Sequence, residues 1–173
     1  ITIPDSVNYI DNAAFEFCTL LKNITIPDNV TYIGDSAFAY CEYLESIVIP
    51  DGITSINYGM FRGCIDLKNV TISDTVTTIN ASAFNGCISL TDINVSSNNK
   101  NYSSVDGILF NKTKTTLSNY PIGKPSESYT IPDTVTSISG YAFHSCSSLT
   151  SVTIPNSVVR IGPRAFGSCS SLA

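Results

Sequence analysis

Six cysteines, one histidine and a file of aspartates are the residues whose types and spacing could do chemistry in this chain of 173 residues. Cys18, Cys41, Cys64, Cys87, Cys146 and Cys169 are separated by 23, 23, 23, 59 and 23 residues. Six cysteines in a secreted chain could close three disulfides. A zinc site would need a Cys-x-x-Cys pair or clustered histidines, and neither occurs. Each cysteine instead falls between a Phe and a Leu at one slot of a repeated pattern. Like slots in stacked repeats lie ~4.8 Å apart with parallel side chains, whereas a disulfide needs converging Cβ atoms ~3.8 Å apart. The spacing therefore favours buried free thiols acting as small apolar fillers over a disulfide framework or a metal site.

Asp5, Asp28, Asp51, Asp74 and Asp133 share a second slot. Stacked acids bind Ca²⁺ in some β-solenoids, but such a column draws several ligands from each turn and only one is visible here. Each Asp follows Pro or Ser where a strand ends and a turn begins, so a turn role is favoured. His144, in "YAFHSC", has Glu16, Ala39, Arg62, Asn85 and Gly167 as counterparts, which marks a variable, solvated position. A nucleophile, a base and an orienting group do not converge, no acid pair suggests a glycosidase, and no Gly-rich phosphate loop is present. The expectation is a protein that is not an enzyme and holds no cofactor or metal.

The elements that position these residues repeat with them. Phe15, Phe38, Phe61, Phe84, Phe143 and Phe166 keep step with the cysteines, as do Leu21, Leu44, Leu67, Leu90, Leu149 and Leu172. The chain divides into seven units at 1–23, 24–46, 47–69, 70–92, 93–128, 129–151 and 152–173, the fifth carrying 13 extra residues. Ile24-Thr25-Ile26 alternates as a half-buried strand does, Pro27-Asp28 reads as a turn, and Val30 to Ile33 forms a second short extended piece rich in β-branched residues. Ala37, Phe38, Cys41 and Leu44 have the spacing of one face of a short helix or 3₁₀ segment. A 23-residue unit cannot enclose a core alone, but units stacked in register close a continuous one. The predicted fold is an α/β repeat solenoid, a right-handed coil with parallel strands on the concave face and short helical or 3₁₀ segments on the convex side.

Leu21-x-x-Ile24-x-Ile26-Pro27, Val30-x-x-Ile33-Gly34 and Ala37-Phe38-x-x-Cys41-x-x-Leu44 resemble the BspA-type leucine-rich repeat, and the resemblance covers essentially the whole chain. The long unit, with "YSSVDGILFNKTKTTLSNYP", is similar to a variant repeat of that family. Ser73, Met60 and Asn156 depart from the pattern. The resemblance implies a leucine-rich-repeat fold, an extracellular or cell-surface location in bacteria and some parasitic protists, and adhesion or host-protein binding.

Three surfaces are candidates for such binding. The outward slot of the first strand holds Thr2, Thr25, Val48, Thr71, Asn94, Thr130 and Thr153, an uncharged and hydroxyl-rich face that is either a solvated sheet surface or a recognition surface for protein or glycan. Tyr9, Tyr32, Phe17, Tyr40 and Tyr43 gather aromatics in the first two units, either as a contact patch or as partly buried packing. In the long unit, Gly107–Phe110 and Thr115–Ser118 flank "NKTK" as a hairpin would, which should project on the convex side with Lys112 and Lys114 at its tip. Seven Asn-x-Ser/Thr triplets (at residues 23, 29, 69, 80, 94, 101 and 111) occur in a chain rich in those residues. Asn23, Asn69 and Asn94 would crowd the concave face if glycosylated. The expected partner is a protein on a host or neighbouring cell, with a glycan as second candidate and a stiff spacer as the alternative role. A formal net charge of −5 argues against nucleic acid, and no apolar run is long enough to insert into a membrane. The chain starts and stops in mid-pattern, as a piece of a longer protein would. Open strand edges at both ends predict end-to-end self-association, seen as a rise in sedimentation coefficient over a concentration series. A monomer at every concentration would contradict it.

Overall fold

Residues 1–173 are all described by a computed structural model. Its strands are β1 (Tyr9–Ile10), β2 (Tyr32–Ile33), β3 (Ser46–Ile49), β4 (Ser55–Ile56), β5 (Asn69–Ile72), β6 (Thr78–Ile79) and β7 (Asp92–Val95), then β8 (Tyr102–Val105), β9 (Ile108–Asn111), β10 (Thr116–Asn119), β11 (Ser128–Thr130), β12 (Ser137–Ile138), β13 (Ser151–Thr153) and β14 (Arg160–Ile161). The regular units contribute up to two short extended stretches, and most of these pair in parallel with a counterpart in a neighbouring unit: β1 with β2, β4 with β6, β3 with β5 and β5 with β7, β11 with β13, and β12 with β14. Ser46 lies opposite Asn69 and Asn69 opposite Asp92, while Tyr9 meets Tyr32 and Ser55 meets Thr78. In β3 and β5 alternate residues are buried and exposed, so Ile47, Ile49, Val70 and Ile72 face the core and the intervening residues face solvent. The Pro that ends the first strand accepts the next turn's hydrogen bond at its carbonyl, as in Val30 N–H to Pro27 and Ile53 N–H to Pro50. The Pro thus opens the turn at its first position, and Asp follows at the second.

The expected helical or 3₁₀ segments are absent. The chain contains no helix and is a β-solenoid of stacked parallel strands, which corrects the α/β assignment. The cause lies in the backbone of the Ala-Phe-x-x-Cys stretch. Gly59 and Gly63 have φ of 57° and 72°, and the same two slots hold Ala13 and Phe17, Ser36 and Tyr40, Tyr141 and Ser145, and Arg164 and Ser168, all at positive φ. A left-handed residue cannot continue a right-handed helix; it suits the third position of a type II turn. Amide directions alternate accordingly. Met60 N–H bonds back to Asn57, Phe61 N–H reaches across to Ala83 of the next unit, Arg62 N–H returns to Gly59, and Gly63 N–H crosses to Asn85. The spacing of Ala, Phe, Cys and Leu that reads as one helical face is thus produced by linked turns, whose inward side chains recur at similar intervals.

Those inward side chains build the core. The rings of Phe15, Phe38, Phe61 and Phe84 stack in sequence, 5.3, 5.8 and 5.9 Å apart, and Tyr120, Phe143 and Phe166 continue with spacings of 5.1 and 4.9 Å. The cysteines are free thiols. Each of five donates its S–H to a carbonyl of the preceding unit, Cys64 to Phe38 at 3.1 Å and Cys87 to Phe61 at 3.0 Å among them. Burial pushes the Cys41, Cys64 and Cys146 thiols up to about 12 and Cys87 well above its ordinary value. Thr hydroxyls add a polar seam between units, as in Thr31 to the Asn8 carbonyl and Thr150 to that of Glu127.

The long unit divides the core in two. Strands β8, β9 and β10 form an antiparallel meander, and β10 then pairs in parallel with β12. The hairpin therefore lies within the second sheet instead of projecting from it, because β10 occupies the place of a second strand. Leu109 packs with the core before it, and Ile108 and Phe110 pack with the core after it. Asn99 is fully buried. Its amide donates to the Ser73 and Val76 carbonyls and accepts from the Asn101 and Tyr102 N–H groups, so all its polar capacity is used where the meander leaves the regular coil.

The thiols give a test. Cys41, Cys64, Cys87 and Cys146 should resist alkylation by iodoacetamide at pH 8 and react fully in guanidinium, as read by mass spectrometry. Because these folded pKa values lie above those of the unfolded chain, the stabilisation they represent is complete below about pH 9 and is lost as pH rises toward about 12. Thermal melts should show that decline.

Candidate functional site

The expected binding residues fall on separate surfaces. Val48, Thr71 and Asn94 stand exposed in one file on β3, β5 and β7, and Thr25 continues the file ahead of them. Thr130 and Thr153, on the separate pair β11 and β13, form a second exposed patch. Tyr9 and Tyr32 stack at 4.4 Å on the second strands, and Phe17 and Tyr40 stack at 4.7 Å on the turn run. Tyr43 is exposed farther along the coil. The aromatics are thus two stacked pairs and a neighbour. Phe17 and Tyr40 hold φ of 60° and 58°, a conformation uncommon for bulky residues. Lys112 and Lys114 are exposed at the hairpin tip, and the Lys112 ammonium donates to the Ser97 carbonyl at 3.1 Å.

A further site was not anticipated from the residues. The long unit lacks the Ala-Phe-x-x-Cys turn run, so the file of turns has a gap between the fourth and sixth units. A cleft of about 630 Å³ opens there, lined by Tyr40, Tyr58, Arg62, Asn80, Asn85 and Gly86 on one side and by Tyr141, His144, Ser145 and Arg164 on the other. No acidic residue lines it. The Arg62 guanidinium lies 5.8 Å from the Tyr40 ring centre and that of Arg164 5.9 Å from Tyr141, both in cation–π contact. Arg164 also donates to the Tyr141 hydroxyl at 3.3 Å.

His144 is partly buried in this cleft, not freely solvated. Burial, and then the charge of Arg164, hold its pKa below the usual value and so favour the neutral ring. Its Nδ1 lies 2.9 Å from Ser145 Oγ. No carboxylate lines the cleft to orient that ring, as the third member of a hydrolytic triad would. The one sequence signal that pointed here was the missing turn run, since any residue in the variable slots on either side of it must border the gap.

The Asp file stands exposed at the turns. Asp51 is held above the usual carboxylate range, first by the charge of Asp74 and also by that of Asp28. No three acidic, thiol or imidazole groups come together in a way that could hold a metal ion. No helix is long and apolar enough to cross a membrane.

The repeated coil, its turn files and the surfaces they display define a leucine-rich-repeat module. The BspA type leucine-rich repeat region matches in six copies over residues 1–117 and 122–173, and the chain belongs to that family. It is similar to a leucine-rich repeat protein from Eubacterium ventriosum, with 27% identity and a TM-score of 0.84 over 99% of this chain and 57% of that one. The pneumococcal vaccine antigen PcpA shares 26% identity with a TM-score of 0.78, over 99% of this chain and 49% of that protein. A leucine rich cell surface protein from Faecalibacterium prausnitzii shares 31% identity with a TM-score of 0.63, over 99% and 58%. The chain thus spans roughly half to three-fifths of these structures. No curated protein matches it.

Gly63 ties the strained aromatics to the cleft. A Cβ added there would meet the Tyr40 ring at 2.5 Å, on a backbone with φ of 72°. Gly63→Ala should therefore destabilise the protein by about 1–3 kcal/mol in urea titration and alter the near-ultraviolet circular dichroism of the Phe17–Tyr40 stack. An unchanged spectrum would show that the ring lies elsewhere.

Proposed function

We propose that this chain is a surface-displayed, adhesin-like binding module that engages a protein on another cell. The observation that carries this reading is the pair of aromatic stacks in the first two units, in which Tyr9 and Phe17 are exposed over the half-buried Tyr32 and Tyr40. Gly63 and Gly86 fill the slot of Phe17 and Tyr40 without a side chain, so the fold has no need of a large ring there. Tyr is enriched at protein interfaces. Membership of the BspA-type family supports the reading, as does likeness to a protein named for the cell surface.

Immobilised protein should capture a defined protein from surface-biotinylated host cells. Replacing Tyr9, Phe17, Tyr32 and Tyr43 together with Ser should weaken that capture by about tenfold or more, as loss of interface anchors does, with the melting temperature little changed. Tyr40 stays in place because it also lines the cleft. If the wild-type chain captures nothing, its role is that of a spacer.

A further inference from the structure

The gap in the turn file is also a gap in a hydrogen-bond ladder. In the first, second, third and sixth units at least two turn-run amides reach across to the next unit. Phe15, Phe38, Phe61 and Phe143 donate to Ala37, Met60, Ala83 and Ala165, and Phe17, Tyr40, Gly63 and Ser145 donate to Ala39, Arg62, Asn85 and Gly167. The fourth unit faces the gap, and its equivalent amides, Phe84 and Gly86, donate to no carbonyl. Across the gap, the His144 carbonyl accepts no backbone amide, whereas the same carbonyl of Ala39, Arg62, Asn85 and Gly167 each accepts one. Gly86 lines the large cleft, and Phe84 lines a smaller cavity of about 250 Å³ that shares Asn80 and Ala81 with it. Asn119 also lines the smaller cavity, and its Oδ1 is buried with no partner. These groups have no partner within the protein, and buried polar groups such as Asn119 Oδ1 are nearly always paired.

We propose that this interrupted rung is a docking slot for an extended, acidic peptide segment of a partner protein. The proposal rests on the protein-binding reading above and names the chemistry that a second surface of the module would take. Two amide donors two residues apart, with unpaired acceptors close by, match the alternating groups of a main chain. A peptide laid in the slot supplies carbonyls to Phe84 and Gly86, and N–H groups to the His144 carbonyl and Asn119. This is recognition by completing a ladder, with affinity from main-chain bonds and specificity from side chains. Arg62 and Arg164, with no carboxylate lining the slot, select acidic side chains through charge-assisted bonds. Tyr58 and Tyr141 flank the path as flat contact surfaces.

The test uses a panel of fluorescein-labelled peptides roughly eight residues long, in which Asp or Glu alternates with neutral residues. Each is paired with its Asn or Gln counterpart and titrated by anisotropy. At least one acidic peptide should bind about tenfold or more tightly than its amide counterpart, a difference of about 1.4 kcal/mol. Arg62→Gln with Arg164→Gln should abolish that preference without shifting the melting temperature. Hydrogen exchange should slow on binding at the Phe84 and Gly86 amides and not at Gly63. The proposal is overturned if no acidic peptide binds, if the double variant binds equally well, or if binding leaves those two amides unprotected. Oligogalacturonate added in place of peptide is the glycan arm; binding of it alone, with Phe84 and Gly86 still exchanging freely, would also overturn the proposal. Failure of the panel with cell-surface capture intact removes only the slot. Loss of capture with peptide binding intact removes only the aromatic surface.

Discussion

The main-chain ladder between coils is the constraint on which this structure depends. In the turn runs, alternate amides bond within their own coil and to the next, so successive coils lock together at one fixed register. That register places Phe over Phe and Cys over Cys, and the repeated sequence is its consequence. The cysteine slot shows how demanding the arrangement is. Its residue must be small enough for a closed interior and must also offer a donor to a carbonyl of the preceding coil. Cys does both, as a compact apolar side chain with a weak S–H donor. A Phe carbonyl such as that of Phe38 thus accepts twice, from the Cys41 amide of its own coil and from the Cys64 thiol of the next.

In the long coil that register is interrupted. Without its turn run, the ladder loses rungs and the core separates into two clusters. Three features compensate. The meander β8–β10 bridges the second sheet, alternation along β9 sends Leu109 into one core and Phe110 into the other, and Tyr120 takes the place of a Phe with its amide on Ala142. Asn99 secures the departure point with four hydrogen bonds. The cleft is the remainder that these substitutions do not fill. Its two arginines lie over tyrosines and not beside carboxylates.

Much of the coil is legible in the sequence because period is a robust signal. The strand alternation at Ile47 and Ile49, the free thiols, and the inward Phe and Leu columns all derive from residue type at a fixed spacing. The turn runs imitate a helix because inward positions recur at nearly the same interval in linked turns as on a helical face. The distinguishing signal is the pair of slots four apart, which hold Gly at Gly59 and Gly63 in the third unit and at Gly86 in the second slot of the fourth, but Ser, Ala, Tyr, Phe or Arg elsewhere. Only glycine advertises a left-handed backbone in a sequence, and most coils do without it. The hairpin residues are legible while their placement is not, because the pairing of β10 with β12 is a long-range choice. The cleft is hidden for a different reason: it is made by absence, and Arg62, His144 and Arg164 sit in slots whose variability suggests plain solvation.

The exposed aspartates carry a consequence beyond their turns. One carboxylate on each of the first four coils is a line charge whose members already oppose one another's ionisation at Asp51. Along that edge the molecule behaves as a short polyelectrolyte and gathers a sheath of counterions. Two such edges approaching side by side repel along their whole length, whereas the tips of the coil carry no comparable barrier.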